Sequence, residues 1–354
     1  MIQLPGLIDP HVHMREPGAT HKEDWDSGTA AALAGGFTLV LAMPNTAPPV
    51  TDVVSLQVAL TAARDKAHCD YAQYIGAGED NAAEAAHLGK YAAGLKMYLD
   101  QTYGPLKLEA LSAICEHFEL FPRNMPIVLH AEGRSLAAAL LFAAMQKRSV
   151  HVAHVATRED ILLVRAAKLS GVKVTCEVTP HHLFLCEDDL PRIGAGRGEV
   201  RPRLATKTDQ QALWENLDII DCFASDHAPH NLAEKDGENP PPGFPGLETS
   251  LPLLLNAVAE ERLSLTDLVL RCHTNPQRIF HLPHQPETWV EVDEDAKWEI
   301  SASELHTRCG WTPFEGMPVR GRVVRTMLRG KVAYADGKTL AQPGYGLNVR
   351  PELE

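Results

Sequence analysis

The stretch Gly6–His13, GLIDPHVH, followed by MREPG to Gly18, decides how this chain is read. An apolar run ends in two histidines one residue apart, and an arginine stands two places further on. Side chains alternate across a strand, so His11 and His13 leave it on the same side. Two neutral imidazoles side by side can grip one divalent metal. An isolated H-x-H pair also occurs as solvated or hydrogen-bonded histidines. Its meaning therefore depends on what else arrives at the same end of the fold.

Similar apolar runs recur along the chain: FTLVLAMP (37–44), DYAQYIGA (70–77), GLKMYL (94–99), PIVLHAE (126–132), VHVAHVA (150–156), VKVTCEV (172–178) and DCFASDHA (221–228). Alanine- and leucine-rich stretches of helical period separate them, for example 25–34, 55–67 and 158–169. Strands alternating with helices imply parallel pairing, because each crossover returns the chain to the same end. About eight such units predict a TIM-like (β/α)8 barrel. The alternative is an open doubly wound sheet. It is weakened because no G-x-G-x-x-G turn follows the first strand.

The Pro/Gly-rich segment 239–250, NPPPGFPGLETS, predicts an irregular loop, with helix resuming over 251 to about 280. From Thr288 the texture becomes alternating, and Asp336-Gly337 is a hairpin signal. The expected organisation is a barrel domain over 1–284 and a small β-rich appendage over 285–354, built mainly from the C-terminus and packing with the N-terminal segment.

The chain has 354 residues, is 45% apolar and carries a net charge of −13 with histidine neutral. That balance argues against nucleic acid and anionic membranes as partners, though a local cationic pocket can still hold an anionic substrate. Seven cysteines are scattered without a C-x-x-C pair, which argues against a disulfide framework or thiolate zinc finger and makes the cytoplasm the expected setting. No run reaches the roughly 18 apolar residues of a membrane span. The first strand begins almost at once, so an excised part of a larger polypeptide is expected.

Polar residues stand at the C-terminal ends of the predicted strands: His11 and His13, Asn45, His130, His154 and Asp226. Barrel active sites form at that end. Lys96 places an amine inside the apolar run GLKMYL. A lysine there can snorkel to the rim. If buried it prefers to be neutral, and a neutral amine reacts with carbon dioxide to give a carbamate able to bridge two cations. Two imidazole pairs, one bridging anion and one aspartate would form a binuclear zinc site. Asp226, in SDHAPH with His230 four residues on, suits a metal-bound carboxylate that also moves a proton. Arg15 offers a planar fork matched to a carboxylate, and the Asn45 amide can donate beside it.

Together these motifs resemble the amidohydrolase superfamily and, within it, the cyclic-amide hydrolases. H-x-H-x-R-E-P-G, MPNT, GLKMYL, LHAE, VAHVA, CEVTPHHL and FASDHAPH look like dihydroorotase, particularly the dihydroorotase domain of animal multifunctional pyrimidine-synthesis proteins. The resemblance implies that His11, His13 and Asp226 bind one zinc, His130 and His154 bind another, and carboxylated Lys96 bridges them. It implies that Arg15, Asn45 and His230 hold a substrate carboxylate, and that Arg201 and the Pro242 backbone contact its ring. DQTYGPL (100–106) corresponds to a lid carrying Thr102 and Tyr103, the latter in place of a phenylalanine. Animal relatives hold a third zinc with Glu177 and a cysteine before His154, but here that position is Ala153, so the third zinc is expected to be absent or weak. The implied reaction is reversible cyclisation of N-carbamoyl-L-aspartate to L-dihydroorotate, in a homodimer. The alternatives are another cyclic amidohydrolase (dihydropyrimidinase, hydantoinase or allantoinase) and an inactive scaffold domain. Arg15 disfavours the first and the complete ligand set disfavours the second.

Overall fold

In a computed structural model, which describes residues 1–353, parallel strands alternate with helices and a small antiparallel sheet flanks them. Glu354, the last residue assigned to the appendage, lies outside the described residues. The strands are β1 Ile2–Pro5, β2 Leu7–Val12, β3 Phe37–Ala42, β4 Asp70–Gln73, β5 Ile75–Gly76, β6 Leu95–Tyr98, β7 Ile127–His130, β8 Val150–Val152, β9 Val174–Val178, β10 Cys222–Phe223, β11 Trp289–Glu299, β12 Pro318–Leu328, β13 Lys331–Ala335 and β14 Lys338–Thr339. Each of the eight predicted apolar runs holds strand residues.

Strands β2–β3–β4 and β5 through β10 form two parallel sheets, in chain order within each. Nearly every residue of these strands is buried, as expected where helices cover a parallel sheet. The run 70–77 is interrupted at Tyr74, whose N–H still bonds the Ala42 carbonyl at 2.9 Å and whose hydroxyl donates to the Pro10 carbonyl at 2.9 Å. At the other seam Val12 forms a parallel bridge with His227, and the His13 N–H donates to the His227 carbonyl at 2.7 Å. β10 is only two residues long because the chain turns away at once to present Asp226.

The helix Trp25–Ala34 starts at Asp24, whose side chain accepts from the Ser27 N–H in a reciprocal capping box. Asp52 caps the helix Val53–Lys66 in the same manner, and the Thr157 side chain caps Arg158–Leu169 by accepting from the Asp160 N–H. The helix predicted to resume at Leu251 begins earlier, at Leu247. Hydroxyls of Thr249 and Ser250 bond the Gly246 carbonyl there, a local signal masked by the neighbouring prolines.

Strand β1 pairs antiparallel with β11, which continues to β12, β13 and β14. The turn between β13 and β14 has Asp336 at φ 51° and Gly337 at φ 75°, the two positive values a type I′ hairpin requires. Arg329 ties this sheet to the parallel strands by an ion pair to Asp70 and a 2.6 Å bond to the Tyr345 carbonyl. Among the described residues, no helix is long and apolar enough to cross a membrane, and all seven cysteines are unpaired.

Trp25 is fully buried with its ring 5.2 Å from that of Tyr71, and its indole N–H makes no hydrogen bond. Trp25→Ala should therefore act through packing alone and cost about 3–5 kcal/mol of stability. Chemical denaturation checks this, and an unshifted midpoint would show that the contact contributes little.

Candidate metal centre and active site

The imidazoles of His11 and His13 lie at the end of β2 and meet Asp226 from beyond β10. Asp226 Oδ1 is 3.2 Å from Nε2 of both histidines. Their tautomers follow from their other nitrogens. His11 Nδ1 stands 2.5 Å from Glu177 Oε1, and His13 Nδ1 stands 2.7 Å from Asn45 Oδ1. Both partners are acceptors, since the Asn45 amide nitrogen is occupied in donating to the Tyr103 carbonyl at 3.0 Å. Each Nδ1 therefore carries the proton, and each Nε2 turns a lone pair toward a carboxylate oxygen. Three lone pairs converging in a buried place need a cation among them, and this donor set of two imidazoles and a carboxylate suits a divalent metal.

His130 ends β7 and His154 follows β8, with His130 Nδ1 and His154 Nε2 2.8 Å apart. Lys96, on β6, is fully buried, and its Nζ has no hydrogen-bond partner. Burial lowers its pKa to about 8, against the pull of Glu177 and Asp226. Burial likewise holds His11, His13, His130 and His154 below the usual imidazole range, in the neutral form that metal ligation requires. Asp226 moves the other way. Burial raises its carboxyl, opposed by His11 and Lys96, so it can hold as well as release a proton.

The backbone is strained where these groups are presented. Arg15, His154 and Asp226 adopt φ of 58°, 33° and 45°, a region unfavourable to side-chain-bearing residues. Each turns its side chain sharply out of the strand direction and into the site.

Arg15 is buried beside the cluster. Its Nε donates to the Pro229 carbonyl at 3.0 Å, and an NH2 group lies 3.0 Å from His230 Nε2. His230 Nε2 is also 3.1 Å from the Pro242 carbonyl, which brings the Pro242 backbone to the site. That approach requires glycine next door. A Cβ at Gly243, φ 143°, would fall 2.3 Å from the Ala228 carbonyl. Tyr103 lies over the same place, its ring centroid 5.0 Å from both the His230 ring and the Arg15 guanidinium carbon.

Other expected residues have these contacts, and the Arg201 charge acts on His130 and Glu132. Arg201 turns to Glu199 at 2.8 Å and the Val200 carbonyl at 2.9 Å. For Thr102 the structure gives only a backbone contact, its carbonyl accepting from the Gln101 side chain at 3.2 Å. Glu177, expected at a third metal, instead receives His11 Nδ1 on Oε1 and His151 Nε2 on Oε2 at 3.0 Å. Its pKa is pushed below the ordinary range by these imidazoles, despite burial. Glu177 is thus a support for His11, the arrangement that orients metal-bound histidines.

Several participants were not singled out from sequence. Lys22 is buried against His230 and Tyr103. Within THKED it looks like part of a solvated charge run. Glu23, wholly buried, lies 3.4 Å from His227 Nε2 and accepts from Thr307 at 2.5 Å, joining the Asp226 loop to the C-terminal segment. Glu132, in the noted LHAE motif, is pushed up to about 7 by burial and by Asp100 and Asp160. The hydroxyl of buried Tyr98 has no partner.

Comparison with known proteins agrees with this geometry. The profile described as Amidohydrolase family matches residues 2–333. The chain is 57% identical over 350 residues to Multifunctional protein CAD of Squalus acanthias, covering 99% of this chain and 16% of that protein. It is 38% identical to a dihydroorotase of Pyrococcus abyssi, covering 97% of this chain and 86% of that one. It thus spans only about a sixth of the first of these relatives and most of the second. Among solved structures, L-hydantoinase (dihydropyrimidinase) from Arthrobacter aurescens superposes with a TM-score of 0.93 at 26% identity, covering 99% and 89% of the two chains. An inactive dihydroorotase-like domain of the Chaetomium thermophilum CAD-like multifunctional protein superposes with a TM-score of 0.85 at 32% identity, covering 98% of each.

If Glu177 orients His11, Glu177→Gln should weaken metal binding by about 10- to 100-fold while leaving the chain folded. Competition with a chelating dye measures this directly. Unchanged affinity would remove Glu177 from the metal's support.

Proposed function

The chain belongs to the amidohydrolase family, and from that premise we propose that it is a metal-dependent dihydroorotase. It cyclises N-carbamoyl-L-aspartate to L-dihydroorotate, reversibly, in de novo pyrimidine synthesis. The observation that carries this reading is a buried arginine, Arg15, opening toward the same place as His11, His13 and Asp226. Dihydroorotate is a cyclic amide bearing a carboxylate, whereas hydantoin and dihydrouracil lack that group. A guanidinium buried beside the ligands selects for it. The retained set His11, His13, Lys96, His130, His154 and Asp226 favours activity over a scaffold role.

The architecture of this reading is a closed (β/α)8 barrel, supported by the hydrogen bonds that span the Tyr74 break and the Val12–His227 seam. In it His11, His13 and Asp226 would hold one zinc, His130 and His154 would hold a second, and a carboxylated Lys96 would serve both as an anionic ligand. A third zinc is not part of the proposal, because Ala153 offers no ligand. Bound zinc supplies Lewis acidity toward the reacting carbonyl and acidifies water. Arg15, Asn45 and His230 hold the substrate's α-carboxylate, and Arg201 and the Pro242 backbone flank its ring. In cyclisation the ureido nitrogen attacks the side-chain carboxyl carbon and a C–O bond breaks. Asp226 takes the proton lost by nitrogen and passes it to the departing oxygen. One further proton from solvent completes the water. Thr102 and Tyr103 close over the site. The proposal also includes a cytoplasmic homodimer set within a longer multifunctional chain.

Cyclisation consumes one proton, so its equilibrium should move toward dihydroorotate at acid pH, about tenfold per unit between roughly pH 5 and 9. Following dihydroorotate by absorbance, beside hydantoin and dihydrouracil, tests both chemistry and substrate. Turnover of the uncharged rings alone would replace this reading with a hydantoinase.

The amine of Lys96 must be neutral to capture carbon dioxide. With its pKa near 8, bicarbonate-stimulated zinc uptake by metal-free protein should rise with pH and level off above about 8. Below that it should fall about tenfold per unit as the ammonium forms. Metal analysis after gel filtration reads this, with Lys96→Arg as the control. Uptake indifferent to bicarbonate would exclude the carbamate.

A further inference from the structure

We infer that Lys22 is a positioning residue that holds His230 in one tautomer and fastens the Tyr103 loop over the active site. The inference rests on the proposed dihydroorotase reading for what His230 binds. Its geometry stands apart from that reading.

An ammonium has three N–H donors and no acceptor. Lys22 Nζ meets three acceptors: His230 Nδ1 at 3.0 Å, Glu234 Oε1 at 3.0 Å and the Tyr103 hydroxyl at 3.3 Å. The ammonium also stands 4.8 Å from the centre of the Tyr103 ring, within cation–π range. Lys22 is only 4% exposed, so these contacts are made with little competition from water.

The consequence for His230 follows from proton accounting. The Pro242 carbonyl, 3.1 Å from Nε2, can only accept. Lys22 at Nδ1 can only donate. The imidazole proton must then reside on Nε2, leaving a lone pair on Nδ1. Burial and the cations Arg15, Lys22 and Lys235 keep the ring neutral. With that proton given to the Pro242 carbonyl, the Arg15 NH2 group 3.0 Å away faces a second donor and finds no lone pair on the ring. An anionic oxygen entering here would accept from Arg15 and share the Nε2 proton with the Pro242 carbonyl. Lys22 thereby prepares the carboxylate site without occupying it.

Tyr103 extends this to the loop over 100–106. Its carbonyl receives Asn45 Nδ2, and its hydroxyl receives Lys22. A phenylalanine at this position would retain the first contact and lose the second. The hydroxyl therefore gives this chain a polar latch on its loop.

The test uses the zinc-loaded protein with ¹⁵N-labelled histidine, comparing wild type, Lys22→Met and Tyr103→Phe. Wild type should show His230 as the Nε2–H tautomer with a hydrogen-bonded Nδ1. Lys22→Met should shift Nδ1 toward an unbonded nitrogen and raise KM for dihydroorotate at least about tenfold, with a smaller change in kcat. Tyr103→Phe should raise KM about threefold and leave the His230 resonances in place. If the methionine variant fails to fold, Lys22→Arg gives the same readouts, because a guanidinium cannot serve all three acceptors from one nitrogen. An unmoved Nδ1 resonance and an unchanged KM in Lys22→Met would overturn the inference. Wild type inert toward dihydroorotate would instead overturn the dihydroorotase reading, with the ¹⁵N result still deciding the role of Lys22.

Discussion

Buried polar groups must be satisfied, and this active site concentrates groups of one kind in two adjacent places. On one side are acceptors. Glu177 and Asn45 take the Nδ1 protons of His11 and His13, so both Nε2 lone pairs confront the Asp226 carboxylate. On the other side are donors. The Pro242 carbonyl and Lys22 set the proton of His230 so that its Nε2–H confronts the Arg15 guanidinium. The first arrangement calls for a cation and the second for an anion. Burial, which elsewhere only adds stability, is what makes both demands strict.

The fold sustains these demands through its supports. Arg15, His154 and Asp226 hold backbone conformations costing on the order of 1–3 kcal/mol each. They persist because the surrounding structure over-determines them. The seam at Val12 and His227 anchors the segment bearing Asp226, and Glu23 ties His227 to Thr307 and the backbone of Arg308. The C-terminal segment is therefore coupled to the metal ligands through Glu23. Three elements far apart in sequence share one carboxylate.

Much of this was legible in the sequence because apolar strands buried on both faces read as unbroken runs, and polar residues at their ends stand out. His11, His13, His130, His154 and Asp226 were visible for that reason, and Lys96 because an amine inside GLKMYL contradicts its surroundings. What was hidden depends on contacts between distant segments. Glu177 lies within an ordinary strand, and only its neighbours His11 and His151 reveal it as a support. Lys22 sits among charged residues of a loop, where no local pattern distinguishes a buried ammonium from a solvated one. The helix start at Leu247 was obscured because the Gly246 carbonyl is satisfied by side chains, beside prolines that read as a break. Resemblance alone supplied Arg201 and Thr102: Arg201 pairs with Glu199 while its charge acts on His130, and the Thr102 carbonyl accepts from Gln101, contacts that no local sequence pattern announces.

The separation of charge also explains why the proposed chemistry divides as it does. Carbamoyl aspartate carries two carboxylates, and ring closure removes one. The survivor fits the side bearing the basic side chains Arg15 and Lys22, which take no part in the proposed proton transfers. The carboxylate that is lost fits the side bearing Asp226, whose protonation is movable. Burial raises the Asp226 carboxyl, so it stands nearer neutrality than in water. Exchanging those positions would leave a fixed cation where a negative charge disappears, and would hold back the step that removes it. In the proposed reaction, charge alone would thus distinguish the two ends of the substrate before any contact with its ring is considered.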